Sequence, residues 1–331
     1  MSWLRSTVLR RAIGTREMLL VAVNAAIFIF LTVMSPEAFA SWTNIKAVLS
    51  LMTYDLLLAV AMTVVLIVRG LDLSVGSVMA LASVVMALLL REGTPVVPAL
   101  ATGLGVALIC GFINGFLVAK GGILPFLVTL GMMSVARGFA TVLTTGQYIS
   151  FPRAERWFTQ FGRFEFRLQI GNGFYGIPLP LIIVLATIAV FAGLLGHWAV
   201  LRRAFYVGES PEAANLSGIR VDRYVIGSYM IAAVFVWLAA VLMTSANRIG
   251  YANYGIGAEL RALAAAIVGG ASMAGGAGSI LGSFLGVLML ALIGNGFVLL
   301  NGNPNWQQAT VGLVLIAAVG FDAVRTYRTR R

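Results

Sequence analysis

The chain has a single cysteine, Cys110, and a single histidine, His197, among its 331 residues. One residue of each type excludes an intrachain disulfide and a Cys/His zinc site of the usual four-ligand kind. Lysine is also scarce, since only Lys46 and Lys120 occur, and neither lies in a Gly-x-x-x-x-Gly-Lys-Ser/Thr phosphate-binding loop. The sequence therefore predicts no cofactor or metal site in this chain, and ATP that drives the protein would be hydrolysed by another subunit.

Charge is the second scarcity. Charged residues make up 11 % of the sequence and hydrophobic residues 60 %, whereas soluble domains average about 25 % and about 45–50 %. A soluble protein of this size has no interior large enough for so much apolar surface. The composition excludes a soluble enzyme, a nucleic-acid-binding protein and a disordered chain, and it predicts a polytopic membrane protein.

Ten apolar segments are long enough to be membrane spans of roughly 20 residues. Backbone groups in lipid must find their hydrogen bonds within the protein, and these segments lack the short alternating pattern of barrel strands, so an all-α fold is expected. The segments lie near residues 18–34, 47–68, 73–90, 97–119, 123–144, 178–200, 224–244, 260–273, 279–300 and 307–323.

The basic residues predict the orientation of one transmembrane domain that covers residues 1–331. With ten spans, 14 of the 23 lysines and arginines fall on the side of the two termini, and eight fall on the other side. The positive-inside rule then places both termini in the cytoplasm. Residues 1–17 become a cytoplasmic segment, 145–177 an external loop and 201–223 the longest cytoplasmic loop.

An internal repeat appears when the sequence is shifted by 181 residues. The stretch 104–131 then matches 285–312 at nine positions, several of which are Gly or Asn rather than common aliphatic residues. One copy begins with an inward-running span and the other with an outward-running span. The sequence therefore predicts an inverted repeat, an architecture that places a transport pathway at the repeat interface.

Several motifs resemble those of the ribose-type sugar ABC importer permeases. The stretch Gly70-Leu71-Asp72-Leu73-Ser74-Val75-Gly76-Ser77 is similar to the signature of that family. Further matching stretches follow in order over nearly the whole chain, at 114–115, 125–131, 137–138, 206–219, 259–260, 264–265, 268–270 and 275–279. Arg69 stands where the commonest pattern has Gly. Together with Phe321-Asp322, it looks more like the rhamnose and autoinducer-2 branch.

The resemblance implies a type II importer permease that forms the path for a small sugar or sugar-like solute. It implies a bacterial inner-membrane complex with a second permease subunit, a cytoplasmic ABC ATPase that binds ATP and Mg, and a periplasmic or surface sugar-binding protein. Within 201–223 it implies a helix that docks into the ATPase, where small residues allow close approach. The coupling residues are Gly208, Pro211, Glu212, Ala213, Ala214, Leu216 and Gly218.

Eight polar residues are candidates for the translocation path, each with a structural alternative. Asp72 and Ser74 either contact solute or cap the third span. Asp55 and Arg137 lie deepest in apolar segments, where charges face a cavity or form pairs. The remaining four can hydrogen-bond sugar hydroxyls or neighbouring helices: Asn114, Thr129, Asn295 and Thr310.

A secondary transporter driven by an ion gradient is the alternative function, and a facilitator channel is a third. An ion-coupled carrier uses intramembrane carboxylates, and Asp55 is the only deep one in the sequence. The repeat fits all three classes of protein. Loop 201–223 favours the ABC permease, because only that class requires a docking helix.

Overall fold

The computed structural model describes residues 15–151, 156–170, 173–300, 302–303 and 305–329. These ranges contain fourteen helices and four short strands. The helices are α1 Thr15–Met34, α2 Pro36–Phe39, α3 Trp42–Ile67, α4 Val75–Arg91, α5 Val96–Ala119, α6 Pro125–Thr144, α7 Arg156–Phe161, α8 Leu179–His197, α9 Ala199–Glu209, α10 Pro211–Leu216, α11 Val221–Asn247, α12 Ala258–Val268, α13 Ile280–Leu299 and α14 Asn305–Thr329. The strands are β1 Ile149–Ser150, β2 Glu165–Ile170, β3 Gly173–Pro178 and β4 Ile249–Gly250.

Local sequence signals set many helix boundaries. Ser41 and Ser279 precede α3 and α13, and the side chain of each accepts a hydrogen bond from a backbone N–H of the first turn. Pro125 begins α6, where its missing N–H costs no intrahelical bond. Thr145 and Arg248 end α6 and α11 in the left-handed conformation.

Seven helices in the described part of the chain are long and apolar enough to cross a membrane, which confirms a polytopic all-α protein. They are α1, α3, α5, α6, α8, α11 and α13. The predicted count of ten spans is not confirmed. The third predicted segment forms the 17-residue α4, and the eighth forms the 11-residue α12 and ends at Val268. The tenth lies in α14, whose apolar part is Trp306–Gly320.

The two large connections lie at opposite ends of the helix bundle. At one end, the hairpin of β2 and β3 contacts the start of α3, where Lys46 Nζ lies 2.8 Å from Glu165 Oε1. We call this the hairpin end. At the other end, α9 and α10 lie beside the carboxyl end of α3, and the Gly276 N–H donates to the carbonyl of Ile67. We call this the coupling-loop end.

The predicted repeat extends over four helices in each copy. At the offset of 181 residues, α3, α4, α5 and α6 fall on α11, α12, α13 and α14. The Tyr229 hydroxyl, near the start of α11, donates to the carbonyl of Leu71, just beyond the end of α3, at 3.1 Å. The carboxyl end of α11 instead reaches the hairpin end, where the Ser245 hydroxyl donates a hydrogen bond to the carbonyl of Phe158 in α7. Helices α3 and α11 are therefore antiparallel, as an inverted repeat requires.

Glycines bring helices close together, both between the two copies of the repeat and within the second copy. A Cβ on Gly115 of α5 would lie 2.8 Å from the Cα of Ile226 in α11. A Cβ on Gly282 of α13 would lie 1.7 Å from the carbonyl oxygen of Gly269, after α12. Van der Waals packing of this kind associates helices in lipid, where no hydrophobic force acts between them. The glycine-rich stretch after α12 thus combines close packing at Gly269 with a tight turn, in which Gly270, Gly275 and Gly276 have positive φ.

Candidate translocation path and coupling surface

Loop 201–223 is mostly helical and is joined to the bundle through Gly208. Helix α9 occupies its first half, which the sequence analysis treated as loop. A Cβ on Gly208 would lie 1.7 Å from the Ile67 carbonyl oxygen and 2.5 Å from the Gly276 nitrogen. Only glycine permits this contact between the end of α9, the end of α3 and the turn before α13. A movement of α9 would therefore displace the end of α3 directly.

Arg69, the residue that departs from the family pattern, forms a second joint at the same place. Its φ is +62°, a left-handed conformation that favours glycine. The guanidinium donates from Nε to the carbonyl of Gly208 and from Nη2 to that of Glu209, each at 2.6 Å. The side chain thus satisfies carbonyls at the carboxyl end of α9, where a cation is favourable.

Helix α10 forms the outer tip of the loop. Ser210 caps it by accepting a hydrogen bond from the Ala213 N–H at 3.2 Å, and Pro211 occupies its first turn. Gly218 ends it at φ +80°, with the Ile219 N–H donating to the Ala214 carbonyl. These hydrogen bonds within the loop stabilise the two ends of a very short helix.

The exposed side of α10 is partly apolar. Leu216 is 91 % exposed, the largest exposure among the large hydrophobic residues that the structure describes. Glu212, Ala213 and Asn215 are also exposed. Ala214, in contrast, is 4 % exposed and packs against the bundle, so it supports the tip and is not part of the surface.

Asp72, Ser74 and Asn114 form one buried polar cluster. Asp72 Oδ1 accepts hydrogen bonds from the Ser74 N–H at 2.8 Å and the Ser74 hydroxyl at 2.6 Å. Asn114 Nδ2 donates to Ser74 Oγ at 3.0 Å. Ser74 stands at the N-cap of α4 but makes no side-chain cap bond. The predicted cap is thus replaced by a local turn that ties α4 to α5.

Asp55 forms a bidentate ion pair with Arg261 between the middle of α3 and the start of α12. The Oδ2–Nε distance is 3.1 Å and the Oδ1–Nη2 distance is 3.2 Å. The side chains are 18 % and 33 % exposed. Arg261 was expected at the start of the eighth predicted segment, on the side opposite the termini. The structure places it beside a carboxylate in the middle of α3.

Arg137 of α6 donates hydrogen bonds to backbone carbonyls rather than to a carboxylate. Its Nη1 donates to the carbonyls of Ala252 and Tyr254, the latter at 2.8 Å. This irregular segment leads from β4 to α12, so the arginine of α6 holds the entry to α12 in place. A Cβ on Gly76 of α4 would also meet this segment, at 2.2 Å from the Gly255 carbonyl oxygen.

The three remaining path candidates form two kinds of contact. Asn295 and Asn44 exchange two amide hydrogen bonds, of 2.7 and 3.1 Å, and so join α13 to α3. Thr129 and Thr310, which are equivalent in the repeat, each donate to the carbonyl four residues earlier in their own helices. Thr129 is fully buried and Thr310 is partly exposed.

Two residues of these sites, Arg261 and Tyr229, were not among the predicted site residues. Arg261 stands at the start of the eighth predicted segment, where a basic residue is typical of a membrane boundary. Tyr229 both accepts from the Leu71 N–H and donates to the Leu71 carbonyl. Its only signal was a lone hydroxyl in an apolar helix. Phe321 and Asp322, quoted for the branch, have side chains outside the described residues.

Comparison with known proteins supports a transport function. Residues 44–319 match the family model described as "Branched-chain amino acid transport system / permease component". A ribose import permease protein of Bacillus subtilis is 33 % identical over 294 residues, which are 89 % of this chain and 88 % of the relative. None of the solved structures matched this chain.

Two further relatives are also named as transport permeases. A probable ABC transporter permease protein of Sinorhizobium fredii is 32 % identical over 329 residues, 97 % of this chain and 95 % of its own. A D-allose transport system permease protein of Escherichia coli is 32 % identical over 307 residues, 92 % and 89 % of the two chains. The predicted resemblance is thereby confirmed, and the ABC permease is favoured over the ion-coupled carrier. The chain belongs to this family of ABC transport-system permease components and is a multi-pass membrane subunit rather than an enzyme.

Proposed function

We propose that this chain forms the membrane path of an importer for a small polyhydroxylated solute of the pentose, deoxyhexose or autoinducer-2 class. Support for the solute class comes from the relatives, which are named for ribose and allose. The proposed assembly holds a second permease subunit, a cytoplasmic ATPase that carries ATP and Mg, and a periplasmic or surface binding protein. It lies in a bacterial inner membrane with both termini in the cytoplasm.

The proposed path follows the face of the bundle near the Asp55–Arg261 pair. Charges in the middle of a membrane protein do not face hydrocarbon, because desolvation costs several kcal/mol or more. Arg261 nevertheless keeps 33 % of its side-chain surface exposed in the isolated chain. A second subunit and an aqueous path between the subunits would cover this face. Asp72, Ser74 and Asn114 are buried within one chain and would support the path rather than line it.

The tip formed by α9 and α10 supports coupling to an ATPase, because its end is exposed and its base is fixed to α3. It offers Leu216 to solvent at 91 % exposure and is fixed to α3 through Gly208 and Arg69. Burial of one leucine contributes roughly 1.5–3 kcal/mol, enough to make this side chain an anchor for a partner. ATP-driven movement of the ATPase would then be transmitted through α9 to α3.

The test replaces the proposed anchor with a charge. We expect Leu216→Asp to abolish co-purification of the ATPase and ATP-driven uptake in proteoliposomes, while the permease still inserts. Asn215→Asp adds the same charge one residue earlier and is the matched control, which should retain both. Normal ATPase recovery with Leu216→Asp would contradict the assignment of this surface.

Energy coupling separates the proposed importer from an ion-driven carrier. We expect uptake by the complete complex to persist when a protonophore collapses the ion gradient, provided that ATP is maintained. It should stop when the ATPase loses the lysine of its phosphate-binding loop. Gradient-driven uptake by this chain alone would refute the importer and make Asp55 the first residue to examine.

A further inference from the structure

A cavity of about 290 Å³ lies inside the elbow between α8 and α9. Its walls come from α3, α8, α9 and α11 and are almost wholly apolar, with Ile67, Phe191, Leu195 and Leu201 among the lining residues. We call it the elbow cavity. The transport path described above does not include it, because it lies on the opposite side of α3 from the polar pair, in contact with α8.

The elbow cavity continues into a groove on the outer surface of the bundle. The groove runs between α8 and α11 and shares Phe191, Leu201 and Ile231 with the cavity. Its remaining walls include Val190 and Trp198, which are 64 % and 54 % exposed. These two helices are long and apolar enough to span a membrane, so the groove opens to acyl chains rather than to water.

Arg223 is the one charged residue among those that line the cavity. Arg223 lines the cavity and is exposed, and no ion-pair partner for it occurs among the residues that the structure describes. Arg202, Arg203 and Arg220 are exposed at the same end of the bundle. Neither the cavity nor the groove is lined by Asp or Glu, and the nearby Asp222 is paired with Lys120.

We propose that the elbow cavity and its groove bind one anionic phospholipid from the leaflet at the coupling-loop end. One acyl chain occupies the cavity and groove, and Arg223 binds the phosphate. Basic pockets between membrane helices are suited to anionic head groups, and Trp198 lies where an aromatic ring marks the membrane interface. The apolar cavity and the guanidinium of Arg223 are therefore arranged like the acyl chain and the phosphate of a phospholipid.

The dimensions agree with one leaflet. Half of a hydrocarbon core of about 30 Å is about 15 Å, which corresponds to about ten residues of helix. Ten residues from Arg223 along α11 lead to Ala233, beside the groove residue Val234. A chain held at Arg223 would therefore end near the middle of the bilayer, where the groove still offers apolar walls.

Bound lipid would act on the position of α9. Val200, Leu201 and Ala204 of that helix form one wall of the elbow cavity. Leu201, Ala204 and Gly208 lie on one face of α9, so an acyl chain in the cavity supports the first half of the helix face whose end is fixed by Gly208. This consequence for coupling rests on the proposed function, but lipid binding itself does not. The experiment therefore measures binding to the permease alone.

The test is native mass spectrometry of the purified permease with phosphatidylglycerol or phosphatidylcholine of identical acyl chains. We expect one phosphatidylglycerol molecule to be retained preferentially. Arg223→Gln should lower its retention about fivefold, the loss of one cationic contact at the membrane surface. Arg91→Gln, an exposed arginine at the far end of α4, is the matched charge control and should leave retention unchanged.

A second pair of variants tests the slot. Gly227 lines the cavity and has open space where a Cβ would be placed, so Gly227→Phe should fill the slot and abolish retention. Gly193→Phe, at an equally open and exposed glycine of α8, is the control. Equal retention of both lipids, or wild-type retention by Gly227→Phe and Arg223→Gln, would overturn the proposal. Arg223→Gln keeps the test decisive if Gly227→Phe fails to fold.

Discussion

At the scale of single residues, Arg69 shows why a departure from a family pattern can carry structural information. Its backbone adopts φ +62°, which costs an L-residue roughly 1–2 kcal/mol relative to the right-handed region. The two hydrogen bonds of its side chain to the end of α9 offset this cost. A glycine here would keep the turn and lose the connection.

We expect Arg69→Gly to leave the free energy of unfolding within about 1–2 kcal/mol of wild type, because relief of strain compensates for lost bonds. Amide hydrogen exchange in α9 should accelerate, since the guanidinium no longer holds its carboxyl end. Arg69→Leu loses the bonds and keeps the strain, so it should be the less stable variant. Equal exchange in α9 for all three proteins would contradict this role of the side chain.

The Asp55–Arg261 pair gives a second prediction at this scale. Asp55→Asn leaves a partly buried guanidinium without its counter-charge, and uncompensated charges of this kind are strongly destabilising. We expect the double variant Asp55→Asn with Arg261→Gln to be more stable than the sum of the two single effects, by about 1–3 kcal/mol. Thermal unfolding in detergent measures this coupling. Strictly additive effects would show that the two side chains do not interact in solution.

At the scale of elements, α9 is held to the bundle by an atomic contact that only glycine allows. A Cβ on Gly208 has no space, because backbone atoms of Ile67 and Gly276 surround the position. The end of α9, the end of α3 and the turn before α13 therefore move as one unit. Sequence patterns alone identified Gly208 as a family-like position but not the helix end that it contacts.

We expect Gly208→Ala to displace α9 and to reduce ATP-driven uptake about 5- to 150-fold, since overpacking by one methyl group costs about 1–3 kcal/mol. Membrane insertion should be unchanged. Gly193→Ala in α8 is the matched control, because its Cβ points into open space and alanine favours helix. The measurement is uptake per inserted permease. Wild-type uptake by Gly208→Ala would mean that this contact is not needed for coupling.

At the scale of the whole molecule, the two large connections lie at opposite ends of the bundle. This arrangement gives a prediction about sidedness that needs no knowledge of the solute. In a protein with Cys110 removed, Gln160→Cys should react with an impermeant maleimide in intact cells and Asn215→Cys should not. Both native side chains are exposed, so differences in labelling report the side of the membrane. Equal labelling would contradict the proposed topology.

Much of the architecture follows from sequence, and the failures have physical causes. Apolar runs locate the long helices, because lipid requires each run to satisfy its own backbone. The short α12 was overextended to residue 273, because the apolar residues Ala271 and Met273 continue its pattern beyond Val268. The partner of Asp55 was missed, since Arg261 is 206 residues away and an ion pair leaves no periodic signal. The sequence likewise does not predict which residues a closely packed glycine such as Gly208 contacts.

The antiparallel pairing of α3 with α11 also bears on how the chain arose. Four helices recur at a constant offset in the opposite sense, so each half resembles a small protein that inserted in both orientations and paired with its own copy. Duplication and fusion of the gene would then fix one orientation for each half.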